Sequence, residues 1–344
     1  GVHTTFDFHG RAPKAVKSDI WESLIEREAE DGWGFILSGR ENEFGYGSIS
    51  TPRTLATLDT ILNLYGTRSL KELIQPAIEY CRNGVLIRPH MSSYWNMPAT
   101  AGRDPNISMV NKFKETQKIY CDESGLVKKV GDLLLNPDMG QLYQDIGNYG
   151  VNHFYSGEIS QRIILDMQEN GGLLAIEDLQ ECTPEEHPPL WGTFFDYKIA
   201  TNNPPGGGVM LVEMLNILEE FDLKGMGHNS VEYIKVVSEV MKIATIDKDT
   251  KVGDPKFTVV PTDQLTSKSY AKAHAEKIKR GDRAVVNRVN KGNPESKCTT
   301  QLVLADVSGN CVTMTHTLGQ PSGVVTEGLG FMYNGAMTVF DPRP

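Results

Sequence analysis

Cysteine is scarce in this chain and badly placed for cross-linking. The five cysteines, Cys81, Cys121, Cys182, Cys298 and Cys311, are odd in number, widely spaced and without a CxxC pair. That argues against a disulfide framework and against a zinc site built from thiolates. No apolar run approaches the roughly 20 residues that a membrane-spanning helix needs. Positive charge is short as well: 34 Lys and Arg face 44 Asp and Glu, leaving a net charge of −10. A surface of that sign repels nucleic acid and anionic lipid. The 33 Gly and 18 Pro show no repeating period, which sets aside collagen-like and low-complexity readings. There is no starting Met and no signal-like apolar segment, and the chain stops at Asp341-Pro342-Arg343-Pro344. We therefore expect a stretch cut from a longer protein. The compartment stays open between cytoplasm and periplasm, with the unpaired cysteines leaning to the cytoplasm.

What is present is globular. Hydrophobic residues make up 39% and charged residues 23% of the 344, which is enough apolar surface for a core and length for about two ordinary domains. From Thr51 and Pro52, the residues Leu55, Leu58, Ile61, Leu62 and Tyr65 recur at helical steps until Gly66. Ser69 is a cap for a second such segment through Leu70, Leu73, Ile74, Ala77, Ile78 and Cys81, closed by Gly84. Together they read as a helical hairpin. Residues 101–150 are polar and turn-rich, with modest helical signals. Gly157 to Gln168 predicts a helix with Ile159, Ile163, Ile164 and Met167 on one side, and Ile176–Leu179 predicts a short one. Trp191–Thr201 reads as a strand. The loop Asn203–Gly208 leads into a helix to Phe221 with a stripe of Met210, Met214, Ile217 and Leu218. Ser230–Ile246 is a further helix, and Pro255–Gly281 a loop and a basic helix. Arg288–Cys298 has no apolar period and reads as an exposed, mobile loop.

After Cys298 the pattern turns to strands. Gln301–Val307 and Asn310–Thr317 are rich in Val, Leu, Thr and Met, around a Val307-Ser308-Gly309 turn. Helix-rich and strand-rich stretches that are segregated in this way indicate an α+β fold. If that turn is a three-residue loop, Asp306 faces Asn310 and Thr299 faces Thr317; a bulge would instead pair Thr317 with Thr300. Alternation then puts Thr313, Thr315 and Thr317 on one face and Val312, Met314 and His316 on the other. Two threonine hydroxyls at a strand start suit nucleophilic chemistry. If the chain is cut before Thr299, its freed α-amino group, with an ordinary pKa of about 8, is a base on the nucleophile itself. Adjacent threonines are also ordinary sheet formers, and the pattern alone does not choose.

The run Cys298-Thr299-Thr300-Gln301-Leu302-Val303-Leu304-Ala305-Asp306-Val307-Ser308-Gly309-Asn310 resembles the processing junction of the gamma-glutamyltranspeptidase family. So, in order along the chain, do Gly10-Arg11-Ala12-Pro13, the hairpin around Tyr65–Gly84, Phe154-Tyr155-Ser156-Gly157, Gly171-Gly172-Leu173, Pro204–Gly208 and Gly253–Phe257. The resemblance implies an N-terminal-nucleophile hydrolase with a four-layer αββα sandwich, incomplete here. Residues 1–298 would belong to a helix-rich large subunit and 299–344 would begin a β-rich small one, the two forming a heterodimer from one precursor. Autocleavage would fall between Cys298 and Thr299. Thr299 would be the nucleophile and Thr317 its hydrogen-bonding partner. The substrate would be a small γ-glutamyl or related amide, with water or an amine as acceptor and no cofactor, metal, nucleic acid or membrane span.

The same resemblance marks departures. In glutathione-cleaving members an N-N-Q-M-D-D-F run grips the γ-glutamyl amino group. Here it reads Asn334-Gly335-Ala336-Met337-Thr338-Val339-Phe340, and neither Ala336 nor Val339 offers a side-chain acceptor. An Asn of that group is Gly319 here. The family's carboxylate-binding Arg position holds His9, leaving Arg11 as the substitute or as a surface residue. Arg11, Gly319 and Asn334 are thus the candidate substrate-binding positions. Two other readings compete. One is a non-processing homologue that only binds; the other is an anion- or nucleotide-binding enzyme using the 204–208 glycine loop, which lacks the Lys-Ser/Thr of a phosphate loop. His187, His228 and His316 have no metal-ligand spacing, and the Lys279–Lys291 region reads as a solvated basic patch.

Overall fold

The computed structural model describes residues 1–30, 34–100, 102–286 and 299–343. They divide into two compact units. The described residues of Gly1–Asp7 and Glu185–Arg288 form one, and those of Phe8–Pro184 and Val289–Pro344 the other. Among them the strands pair only as two-stranded antiparallel ladders. Helix dominates up to residue 279, and strand follows from residue 300, as the sequence pattern predicts. The expected mobile loop at 288–298, with Cys298, lies outside the described residues.

In the larger unit the core gathers on the Glu158–Glu169 helix, whose Ile159, Ile163, Ile164 and Met167 are buried as their spacing predicts. Against them pack Leu142 and Ile146 of the Pro137–Tyr149 helix and Val324, Leu329 and Tyr333 of the C-terminal strands. The 137–149 helix corrects the turn-rich reading of 101–150. Asn136 caps it by accepting from Met139 N at 3.1 Å, and Pro137 opens its first turn. The predicted helix from Ser69 to Cys81 is two helices, Leu70–Leu73 and Gln75–Asn83, meeting at Ile74. Pro76 has no N–H to continue the first ladder, so it starts a new helix instead.

A polar network ties the C-terminal strands to the core helix. The Tyr46 hydroxyl donates to Asp166 Oδ1 at 2.9 Å, and Thr326 Oγ1 donates to Asp166 Oδ2 at 2.5 Å. Thr326 Oγ1 and the Tyr333 hydroxyl lie 2.7 Å apart, with Tyr333 fully buried.

The smaller unit packs the Gly208–Leu218 helix against Val231–Lys251 and Lys268–Lys279, around Ile217, Phe221, Val236, Val240, Ile243, Ala271 and Ala275. Ser230 and Ser267 cap the last two by accepting from Tyr233 N and Tyr270 N. Trp191–Thr201 is a hairpin of Leu190–Phe194 and Tyr197–Thr201, not one strand. It reverses at Phe195-Asp196, where Phe195 takes φ 50°, a turn made without the usual glycine. The helix at 208–218 buries Val209, Val212, Glu213, Asn216 and Ile217, so the Met210–Met214 stripe lies to one side of its true inner face.

Candidate functional site

The strands Thr300–Ala305 and Cys311–His316 pair without a bulge from His316↔Thr300 to Cys311↔Ala305. Asp306 sets this register. Its Oδ1 accepts from Ser308 N and Asn310 N, and its Oδ2 from Asn310 Nδ2, at 2.8–2.9 Å. The Asn310 side chain and the turn's N–H groups hold the Asp306 carboxyl below its ordinary pKa. Gly309 completes the turn at φ 83°. The paired register ends at Thr300 and His316, so Thr299 and Thr317 are the residues that flank it, one on each strand. The alternation also appears as expected. Gln301 bridges the hydroxyls of Thr313 and Thr315 on one face, while Met314 and His316 are half-buried on the other.

Thr317 leads from this hairpin into the next. Its Oγ1 accepts from Gly319 N at 3.1 Å. Gly319, at φ 67°, bridges to Gly335, and Gly335 N donates to Leu318 O at 3.2 Å. A Cβ on Gly319 would stand 3.5 Å from Ala336 Cα, so these two positions are neighbours. Asn334 sits beside them with its carboxamide committed to protein. Oδ1 accepts from Ser50 N at 3.0 Å and Ser50 Oγ at 2.9 Å, Nδ2 donates to Ser50 O at 2.9 Å, and Ala336 N donates to Oδ1 at 3.1 Å. Ser50 is wholly buried and fills the space that a Cβ on Gly10 would need. Thr317, Gly319, Asn334 and the Gly10-Arg11 segment therefore lie along one seam of contacts.

Two cavities adjoin the seam, and they differ in chemistry. Arg11 lines a small one of about 100 Å³ with Lys14, Arg53, Asp178, Glu181 and Cys182. Thr51 N donates to Arg11 O at 2.9 Å, and Arg53 reaches His9 O and Thr183 O at 3.2 and 2.7 Å. Burial pushes the Cys182 thiol up, against the pull of Arg53. The second cavity, about 220 Å³, opens at Leu318 and Gly319 and is walled by Tyr94, Trp95, Met109 and Tyr120. No site residue is expected from the sequence in 89–120; the adjacent Tyr94 and Trp95 are the signal there that marks this wall. Of the departures from the family pattern, Ala336 is half-buried beside Gly319, while Val339 is exposed.

The glycine loop at 204–208 is folded onto its own side chains. A Cβ on Gly206 would collide with Asn202 Nδ2, and one on Gly208 with Asn202 O. Gly206 and Gly208 are thus accounted for by packing, while a Cβ on Gly207 would meet nothing within 4 Å. Among the described residues, no group of three or more His, Cys, Asp or Glu is arranged to hold a metal, and no helix is long and apolar enough to cross a membrane.

The comparisons fit this geometry. The profile of the family described as Gamma-glutamyltranspeptidase matches residues 1–344. The chain belongs to that family. It is 32% identical to the glutathione hydrolase proenzyme of Escherichia coli K12, over 100% of this chain and 57% of that protein. It is 30% identical to the acylase ACY 1 proenzyme of Pseudomonas sp. V22, over 100% of this chain and 60% of that protein. Among solved structures it is similar to Helicobacter pylori gamma-glutamyltranspeptidase, with 28% identity and a TM-score of 0.72 over 81% of this chain and 75% of that one. The chain therefore spans less than two thirds of the length of these curated relatives.

Proposed function

We propose that this gamma-glutamyltranspeptidase-family chain is part of a self-processing threonine amidohydrolase or acyltransferase. Thr299 Oγ attacks the carbonyl carbon of Cys298, the peptide nitrogen leaves as the α-amine of Thr299, and water hydrolyses the resulting ester. The free α-amine then takes the hydroxyl proton of Thr299 as its oxygen attacks a substrate amide, and passes that proton to the departing amine. Water or an amine acceptor resolves the acyl-enzyme. Thr317 fixes the nucleophile's rotamer, its own hydroxyl oriented by Gly319 N. Arg11 is the candidate partner for a substrate carboxylate, and Asn334 acts by holding Ser50 and Ala336 in place. No cofactor enters the scheme. The two products of the cut stay together as a heterodimer, within the four-layer αββα sandwich of N-terminal-nucleophile hydrolases.

The observation that supports this reading is the unbulged hairpin, whose paired register runs to Thr300 and His316, one residue short of Thr299 and Thr317 on each strand. Proenzyme names among the relatives support a precursor that is cut. The test is intact mass and N-terminal sequencing of the full-length protein. Two fragments are expected, the second starting at Thr299, and a single intact chain for Thr299→Ala. Wild-type protein that never divides would end the proposal.

A further inference from the structure

The 220 Å³ cavity at Leu318 and Gly319 has no part in the chemistry above, yet it adjoins the candidate nucleophile's partner. Gly319 lines it and also donates its N–H to Thr317 Oγ1. Its walls are aromatic and aliphatic. Trp95 and Tyr120 meet edge to face at 5.4 Å, Met109 and Val110 are buried beneath them, and Pro321 and Met332 close the far side. No Asp, Glu, Lys, Arg or His is among the described lining residues. Asn106 is the one side-chain amide there, and its Nδ2 is spent on Tyr94 O at 2.9 Å.

We infer that this cavity holds the acyl side of the scissile amide, and that the acyl group it takes is uncharged and apolar, aromatic or medium-chain aliphatic. The inference rests on the amidohydrolase reading and deepens it. Three observations lead to it. First, the cavity opens at Gly319, whose Cβ position is 3.5 Å from Ala336. Those two positions are the ones that, by the resemblance, hold polar contacts to a γ-glutamyl group, and here both are bare. Second, a cavity of roughly 150 Å³ already holds a benzene ring, so 220 Å³ suffices for a phenyl group and its linker. Third, an ammonium or carboxylate placed here would be desolvated without a partner, which is heavily disfavoured, whereas an apolar group gains from the same burial.

The test uses the full-length protein and a panel of 4-nitroanilides that share one leaving group and differ in the acyl part: γ-glutamyl, glutaryl, phenylacetyl and hexanoyl. The phenylacetyl or hexanoyl substrate should exceed γ-glutamyl in kcat/KM by about tenfold or more. A second readout is independent of turnover. In Thr299→Ala protein, 4-nitrophenylacetamide should quench tryptophan fluorescence saturably, phenylacetamide should reverse this, L-glutamine should not, and Trp95→Phe should remove the signal. If γ-glutamyl anilide is cleaved as well as or better than the apolar ones, the inference is overturned and the amidohydrolase reading stands. If no anilide is cleaved and the precursor does not divide, the amidohydrolase reading falls. The Trp95 signal then decides the cavity alone: saturable quenching upholds an apolar site, and none removes it.

Discussion

Each unit sets a carboxylate among hydroxyls, half-buried in one and buried in the other, and the two solve the problem differently. In the larger unit Asp166 accepts from Tyr46 and Asn170 at Oδ1 and from Thr326 at Oδ2. In the smaller unit two carboxyls share a site. Asp247 accepts from the Tyr270 hydroxyl at 2.6 Å and pairs with Lys251 Nζ at 2.7 Å, and Lys251 also reaches the Tyr270 hydroxyl at 2.8 Å. Glu213, 1% exposed, hydrogen-bonds to Asp247 and is left with Oε1 unpartnered. Burial first, and Asp247 second, push the Glu213 carboxyl up to about 8, while the Lys251, Tyr270 and Glu213 hydrogen bonds hold Asp247 low. Within the pair, the carboxyl with charged and hydroxyl donors is held low and its neighbour is pushed up.

That contrast can be broken from either side. The largest effect is expected from Asp166→Ala, which strips the Tyr46 and Thr326 hydroxyls and the Asn170 amide of their common acceptor and should cost about 3 kcal/mol in urea unfolding. A loss under about 1 kcal/mol would show that the network carries little of the fold's stability.

Glu213→Gln should act with the opposite sign and depend on pH. The folded-state pKa of Glu213 lies above its ordinary value of 4.5. The native chain therefore holds a proton between about 4.5 and 8 that the unfolded chain gives up. This group's contribution is fully present below 4.5 and falls as pH rises through that window, by up to about 1.4 kcal/mol per unit. His274, held low by burial and Lys277, slopes the other way below its ordinary 6.5, so the clean interval is 6.5 to 8. The variant's midpoint advantage over wild type should therefore grow from pH 6.5 to pH 8 and then level. An advantage that stays flat would mean that Glu213 is ionised throughout. The smallest effect is at the start of the helix that carries Asp247. Ser230→Ala removes its cap and should cost about 1 kcal/mol without altering the pH slope.

Local chemistry made much of this legible in the sequence. The register of the hairpin from Thr300 to His316 follows from Asp306, Gly309 and Asn310 within a few residues, and the 158–169 helix from plain periodicity. What escaped was decided at long range. Glu213 and Asn216 lie outside the Met210, Met214, Ile217 and Leu218 stripe, yet they face inward because Asp247 and the Thr266 carbonyl await them. The 137–149 helix was hidden by its weak stripe, since only Gly140, Leu142 and Ile146 are buried. Asn334 carries an amide suited to a substrate, but Ser50, far away in sequence, takes it. The apolar cavity was invisible for the same reason: its walls come from 94–120 and 318–332, and no short motif spans them.

The link between Ser50 and Asn334 has a consequence for timing. It joins points 284 residues apart, whereas the hairpin from Thr300 to His316 closes over a handful. The hairpin can therefore form in microseconds, long before the distant partners meet. On the proposed reading, a cut before Thr299 would sever the tether between Ser50 and Asn334. Made too early, it would turn their meeting into a collision between separate molecules at cellular dilution, without the high effective concentration of a shared chain. Slow self-cleavage, lagging behind closure of this contact, would then be a requirement of assembly.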